Sequence, residues 1–445
     1  MNGARKAGAY GWRSGLARLV CVLLLGMAGG PANAADVHLL DVDAGVVRAS
    51  PAAGVGDALA AGPLRLEIGT RTGTAVLELA PHRVLGAFGV AEGEAEAYAG
   101  TVPGRPGSWA ALTRTRRGWS GIWFDGEEYY GIEAATALAD TGHQALAGAP
   151  PGQPMVFRLS DVVWDDVSFE GDVLHAPPGN GQELVTGLTP TALTFDDGPT
   201  HRLAVAMVAD HFLAAREGEF LESHLLAQLN IIDGLYRNQL GLEVTSASIT
   251  TFTRREEDPL SGTTDASRLL DQLSAWRAGN VAQRQSALTH LFTGRDIDRR
   301  TVGLAYLDKL CSRRYSASLS EARTAPTFAA LIAAHEIAHV IGAPHDGDEE
   351  GACADVSSNS FLMGPRINGS QQFSACSIAQ MMPRIEAASC LTPLGPFNGP
   401  PPSSPVDVGG GGGALAGTAL ALLGLMALYR ARCRTFQMRA NQSAR

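Results

Sequence analysis

Residues 334–346 of this 445-residue chain hold three histidines, a glutamate and a glycine at spacings that can build a metal site. On a helix, His335 and His339 lie one turn apart and face the same way, so both imidazoles can reach one ion. Glu336 stands beside them, placed to hold and deprotonate a water rather than to ligate. Gly342 suits a helix end that needs a left-handed residue, and a sharp turn there brings in His345 as third ligand. Three histidines leave the fourth position open. That is the arrangement of a catalytic zinc, since a closed structural site takes four protein ligands.

The elements that must position these residues can be read outward from them. A helix opening near Pro326, a residue suited to a first turn, carries Phe328, Leu331, Ile332, Ala338 and Ile341 and is apolar almost all round. It is expected to be buried, with its histidines reached only through a cleft. Upstream, residues 203–210 form an apolar run of strand length. Leu225, Leu229, Ile232, Tyr236 and Leu240 then give a helix with one apolar stripe, stopped by Gly241. Residues 242–252 read as a second strand, 269–276 and 287–292 as helical pieces, and 301–306 as a further strand. This alternation predicts an α/β (α+β) domain with a twisted, mostly parallel sheet.

With those residues in view, the stretch resembles the metzincin metallopeptidases, whose signature is His-Glu-x-x-His-x-x-Gly-x-x-His followed by a methionine turn. Asp346, straight after the third histidine, is similar to the adamalysin (reprolysin) branch. The resemblance implies zinc as cofactor, a methionine turn over residues 360–364 with Met363 as a non-ligating floor, and proteins or peptides as substrates. It also implies that residues 315–319 are the edge strand along which a peptide lies. Calcium is not implied: the family's side-chain ligands fall on Ala204, Ala287 and Pro393, none of which coordinates through a side chain. Asp348, Glu349 and Glu350 read as a solvated acidic loop.

Composition bounds the rest. Apolar content of 45% and charged content of 18% fit a folded protein, and a net charge of −10 offers nothing to nucleic acid. Arg5, Lys6, Arg13 and Arg18 precede an apolar run at 19–27 and a small-residue site at Ala32–Ala34, so 1–34 reads as a signal peptide. Cys311, Cys353, Cys376 and Cys390 in an exported body suggest two disulfides, with three pairings open. The resemblance, through residues 303–306 and 373–377, implies Cys311 with Cys390 and Cys353 with Cys376.

Residues 35–197 are glycine-rich with short apolar runs and read as a β-rich domain. Residues 98–104, Ser108 and 118–130 resemble the adamalysin propeptide; the alternative is an unrelated β-rich module. Many such propeptides place a cysteine thiolate on the zinc. No cysteine lies between Cys21 and Cys311, so latency here needs an occupied cleft or another ligand. The zinc domain is expected over 198–394, a Pro-rich linker over 395–408, and a tail at 435–445. Between them, at 409–434, a glycine run, an apolar segment and an arginine cluster resemble the tag that rhombosortase, an intramembrane protease, processes in Gram-negative bacteria. A permanent membrane anchor is the alternative for that segment. The whole reads as an exported, extracellular or cell-surface zinc metalloendopeptidase made as a zymogen. The alternative is a surface adhesion module that keeps zinc without proteolysis.

Overall fold

In the computed structural model the described residues are 36–51, 62–71, 73–82, 85, 94–165, 172–176, 198–260, 262–298, 301–366 and 369–394. The expected signal peptide, linker, sorting tag and tail lie outside them. Among the described residues no helix is long and apolar enough to cross a membrane.

The N-terminal region is built from strands β1 (Asp36–Leu39), β2 (Asp43–Ala44), β3 (Val46–Pro51), β4 (Leu64–Gly69), β5 (Thr74–Pro81), β6 (Ala95–Thr101), β7 (Trp109–Thr115), β8 (Gly118–Phe124), β9 (Tyr129–Ala134), β10 (Pro154–Arg158) and β11 (Val162–Asp165). Nine of them form one antiparallel sheet in the order β2-β10-β9-β8-β7-β6-β5-β4-β3, while β1 pairs with β11. The short spacing between strands and the glycines at their turns favour hairpin neighbours, as expected of a β-rich region.

The C-terminal region contains β12 (Val173–Leu174), β13 (His201–Ala209), α1 (His211–Glu217), α2 (Leu221–Leu240), β14 (Leu242–Thr251), α3 (Ala266–Gly279), α4 (Val281–Gln285), β15 (Leu288–Thr293), β16 (Gly303–Tyr306), β17 (Ala317–Glu321), α5 (Pro326–Ile341), α6 (Ala375–Ala387) and β18 (Thr392–Pro393). Its sheet runs β12-β16-β17-β15-β13-β14, with β18 against β13. The β13–β14, β13–β15 and β15–β17 pairs are parallel, and β16 is antiparallel to β17. The expected mixed α/β architecture is present, with α2 ending at Gly241 in the left-handed region.

Two local expectations are overturned. Residues 287–292 form no helix; β15 is a strand near the middle of the sheet, and all six of its residues are buried. Leu288, Leu291 and Phe292 mimic helical spacing because a strand buried on both faces loses its alternation. Residues 315–319 are not the edge strand either. They contribute to β17, which is covered by β15 on one side and β16 on the other. Without β12 the outer strands of this sheet are β14 on one side and β16 on the other, and the short β12, from the segment ahead of the region, is laid along β16.

Helices α2 and α5 lie between the two sheets. Gly234 of α2 is needed for close approach, because a Cβ there would come within 2.7 Å of the Trp109 ring on β7. One turn earlier, the Asn230 amide donates to the Tyr98 and Leu112 carbonyls at 3.2 and 3.0 Å, satisfying backbone groups that the helix covers. On α5, Phe328 packs against Phe157 and Trp164 at ring separations of 5.5 and 5.6 Å. The opposite face of the C-terminal sheet is closed by α3, whose Leu269, Leu270 and Leu273 meet Val208, Leu304 and Leu319.

Glu133 of β9 reaches the start of α5. Its carboxylate accepts from Thr327 N at 2.8 Å, Thr327 Oγ1 at 2.6 Å and Ser120 Oγ at 2.9 Å. A helix N-terminus favours an anion, but burial dominates and pushes Glu133 up from 4.5 to about 7. A carboxyl with a raised folded value gives stability that is complete below about 4.5 and lost as pH rises through about 7. Glu133→Gln, which imitates the neutral form, should flatten the fall in thermal midpoint of the full chain across that interval. The effect is at most ~3 kcal/mol in unfolding free energy. Equal pH slopes in parent and variant would remove Glu133 from the docking energetics.

Candidate metal centre

Helix α5 delivers the first two histidines from inside the molecule. Both His335 and His339 are fully buried, and each is oriented by a backbone carbonyl: His335 Nδ1 lies 2.7 Å from Leu362 O, and His339 Nδ1 lies 2.7 Å from Ala343 O. With the proton on Nδ1, the lone pair of each Nε2 is turned inward. Gly342 ends the helix at φ 121°, where a side chain would also run into Arg384. Arg384 is tied to Asp308 at 2.6 Å, and the Asp308 N–H caps the His339 carbonyl at 2.9 Å. The turn then brings His345 to the same point.

The three Nε2 atoms converge. His335 and His339 are 2.9 Å apart there, and His335 and His345 are 3.3 Å apart. Ligands placed tetrahedrally at the usual zinc–nitrogen distance stand ~3.3 Å from one another. Facing lone pairs at this range repel unless a cation or a proton lies between them. Burial lowers His335 to about 4, so a proton is disfavoured on that ring. A metal ion therefore fits the donor set.

The structure adds a residue to the three predicted ones. Asp172, from the segment between the N-terminal sheet and β13, lies fully buried against the histidines, with Oδ2 3.2 Å from His335 Nε2 and Oδ1 3.1 Å from His345 Nε2. Ligand atoms of Asp172, His335, His339 and His345 all fall within 4.8 Å of one another. A carboxylate therefore stands beside the three histidines, where the sequence led to the expectation of an open position. Burial alone would raise this carboxyl, but His345, His339 and His335 hold it well below the usual range. His345, by contrast, is raised: burial works against its charge and is outweighed by Asp172 beside it.

Glu336 lies beside the cluster and is fully buried, with neither carboxylate oxygen hydrogen-bonded. Burial, then repulsion from Asp172, pushes it well above the ordinary carboxylate range. It rests against β16 at Gly303, where a Cβ would stand 2.6 Å from Glu336 Cγ. Only glycine leaves room for this carboxyl beneath the edge strand.

The supporting residues surround this core. Met363 is fully buried, and its carbonyl accepts from Asp346 N at 2.8 Å. Asp346 Oδ1 accepts from Ser374 and Ser377 at 2.7 and 3.1 Å, which anchors the turn after His345 to the start of α6. Cys311 is bonded to Cys390 and Cys353 to Cys376, the two pairs that the resemblance implies. The second pair joins the segment between His345 and Met363 to α6. No sequence signal marks Asp172: it is one acidic residue more than 160 positions from the histidines in the chain.

Residues 203–393 match the family described as Reprolysin (M12B) family zinc metalloprotease. The human disintegrin and metalloproteinase domain-containing protein 33 is 29% identical over 336 residues, covering 69% of this chain and 37% of its own length. That share exceeds what lies between residue 203 and the end, so the similarity reaches into the N-terminal region. Two snake venom metalloproteinases of Deinagkistrodon acutus, acutolysin-C and H5, are 28% and 29% identical over 197 residues. Each alignment covers 43% of this chain, and 45% and 46% of the respective relatives. The chain therefore spans less than half the length of these relatives. Its residues 203–393, which include the three histidines but not Asp172, are similar to the reprolysin-type zinc metalloproteases.

Proposed function

We propose that this protein is a zinc-dependent endopeptidase that hydrolyses internal peptide bonds of proteins, with His335, His339 and His345 as ligands and Glu336 as the catalytic base. The observation that carries the reading is a buried glutamate with no hydrogen-bond partner beside three convergent imidazoles, two of them braced from behind by backbone carbonyls. Leaving a carboxylate buried and unpaired costs stability, so its retention suits a chemical task. Zinc bound there supplies Lewis acidity toward a carbonyl oxygen and lowers the pKa of a water to about 7. The protein's own part is proton handling: Glu336 takes a proton from the attacking water and returns it to the leaving amine. Strand β16 offers the peptide a free backbone edge once β12 has left it. An adhesion role without proteolysis draws no support from a site that keeps Glu336.

On the same reading, residues 35–197 are the propeptide of a zymogen, exported by the segment 1–34 to an extracellular or cell-surface setting. Two disulfides support an oxidising compartment. The sorting-tag reading of 409–434 stands on the sequence alone.

The test is hydrolysis of a quenched peptide library by the chain, before and after limited proteolysis, with loss of turnover to 1,10-phenanthroline and recovery with zinc. Absence of turnover in both forms, with zinc bound, would sink the endopeptidase reading. Glu336→Gln should keep one zinc per chain and lose on the order of 10²–10⁴-fold in kcat. Near-parent turnover in that variant would take Glu336 out of the mechanism. Gly303→Ala forces the Glu336 side chain aside and should lower kcat on the order of 10²-fold at unchanged zinc content. An unaffected kcat would show that Glu336 acts from elsewhere.

A further inference from the structure

The segment ahead of β13 does two things at once in this structure. Its backbone is paired onto the edge strand: Ala305 N donates to Asp172 O at 2.8 Å, and Leu307 N donates to Leu174 O at 3.1 Å, in parallel register with β16. Its carboxylate is delivered to the histidines. Asp172 Oδ1 is fully buried and lies 3.6 Å from His339 Nε2, whose lone pair is turned inward, and 3.1 Å from His345 Nε2. Four ligand atoms, from Asp172 and the three histidines, thus lie within 4.8 Å of one another around one buried point, the donor number and type of a four-coordinate zinc site.

We propose that Asp172 is a fourth ligand of the metal centre, supplied by the segment preceding the catalytic region, and that it holds the enzyme latent with a carboxylate in place of a thiolate. This rests on the zinc-endopeptidase reading above. The chemistry of the chain agrees with it. Cysteine is absent between Cys21 and Cys311, and Cys311, Cys353, Cys376 and Cys390 are all in disulfides, so among the described residues no thiol is available to the site. A carboxylate on the metal excludes the water that hydrolysis requires, and a strand on β16 excludes the backbone of a substrate. The segment is not itself a substrate in this pose, because a side-chain carboxylate and not a peptide carbonyl faces the metal position. Latency of this kind is indifferent to thiol reagents and oxidants, and is lifted by cutting the chain between Asp172 and the catalytic region or by displacing β12.

The test uses the full chain loaded with cobalt(II) in place of zinc, read by its visible absorption during titration with acetohydroxamate. Parent protein should resist the chelating probe at concentrations at least 10-fold above those that saturate Asp172→Ala, and Asp172→Ala should show peptidase activity at least 10-fold above uncut parent. Asp172→Asn keeps the volume without the anionic oxygen and carries the same expectation if the alanine variant folds poorly. Asp172→Cys should stay latent, gain a sulfur-to-cobalt charge-transfer band and become activatable by an organomercurial, which should leave the parent unchanged. If parent and Asp172→Ala bind one cobalt with the same spectrum and the same sensitivity to the probe, Asp172 is not a ligand, and the metal site itself stands. If no variant binds metal, Asp172 is only an ion-pair partner of His345, and the underlying reading fails with the proposal.

Discussion

Three imidazole nitrogens are turned toward one buried point, and much of this structure exists to keep them there. Left to themselves the rings would rotate to relieve the repulsion of their lone pairs. They are held because His335 and His339 each spend the other nitrogen on a fixed carbonyl, at Leu362 and Ala343. Those carbonyls are fixed in turn. Leu362 N is bonded to Gln372 O, and the turn that contains Ala343 is set by Gly342, Arg384 and Asp308. The braces cost little because they are backbone groups that need partners in any case.

The N-terminal region grips this arrangement at both ends of one helix. Glu133 binds the first turn of α5 through Thr327, and Asp172 lies against the histidines of its last turns. Between them the antiparallel sheet lies on α2 and α5 through Trp109, Phe157 and the Asn230 amide. A domain attached so broadly does not leave when one contact is broken. The Asp172 carboxylate therefore needs no great intrinsic affinity to stay against the histidines, since the docked sheet keeps its local concentration high.

Legibility in the sequence followed the range of the interaction. The two histidines and the glutamate of α5, and the glycine that ends it, are visible because one helical turn and one cap set their spacing. The role of Asp346 is local in the same way, although its partners Ser374 and Ser377 are not. Strand β15 was hidden by burial on both faces, which removes alternation and leaves an apolar run compatible with either period. The exchange of edge and interior between β16 and β17 depends on the order of strands, which no local pattern encodes. Asp172 is the extreme case. Its meaning comes only from a backbone ladder to Ala305 and Leu307 that aims its side chain, and neither residue type nor spacing announces that.

What occupies the centre of the cluster distinguishes a metal site from an ion-pair network of Asp172 and the histidines. Anomalous diffraction at the zinc edge, from crystals of the uncut full chain, reports that position without reference to catalysis. The expected result is a single peak ~2.0–2.2 Å from the Nε2 atoms of His335, His339 and His345 and from one oxygen of Asp172. A map with no peak between the histidines, or one in which a water stands at the metal while Asp172 lies elsewhere, would contradict it.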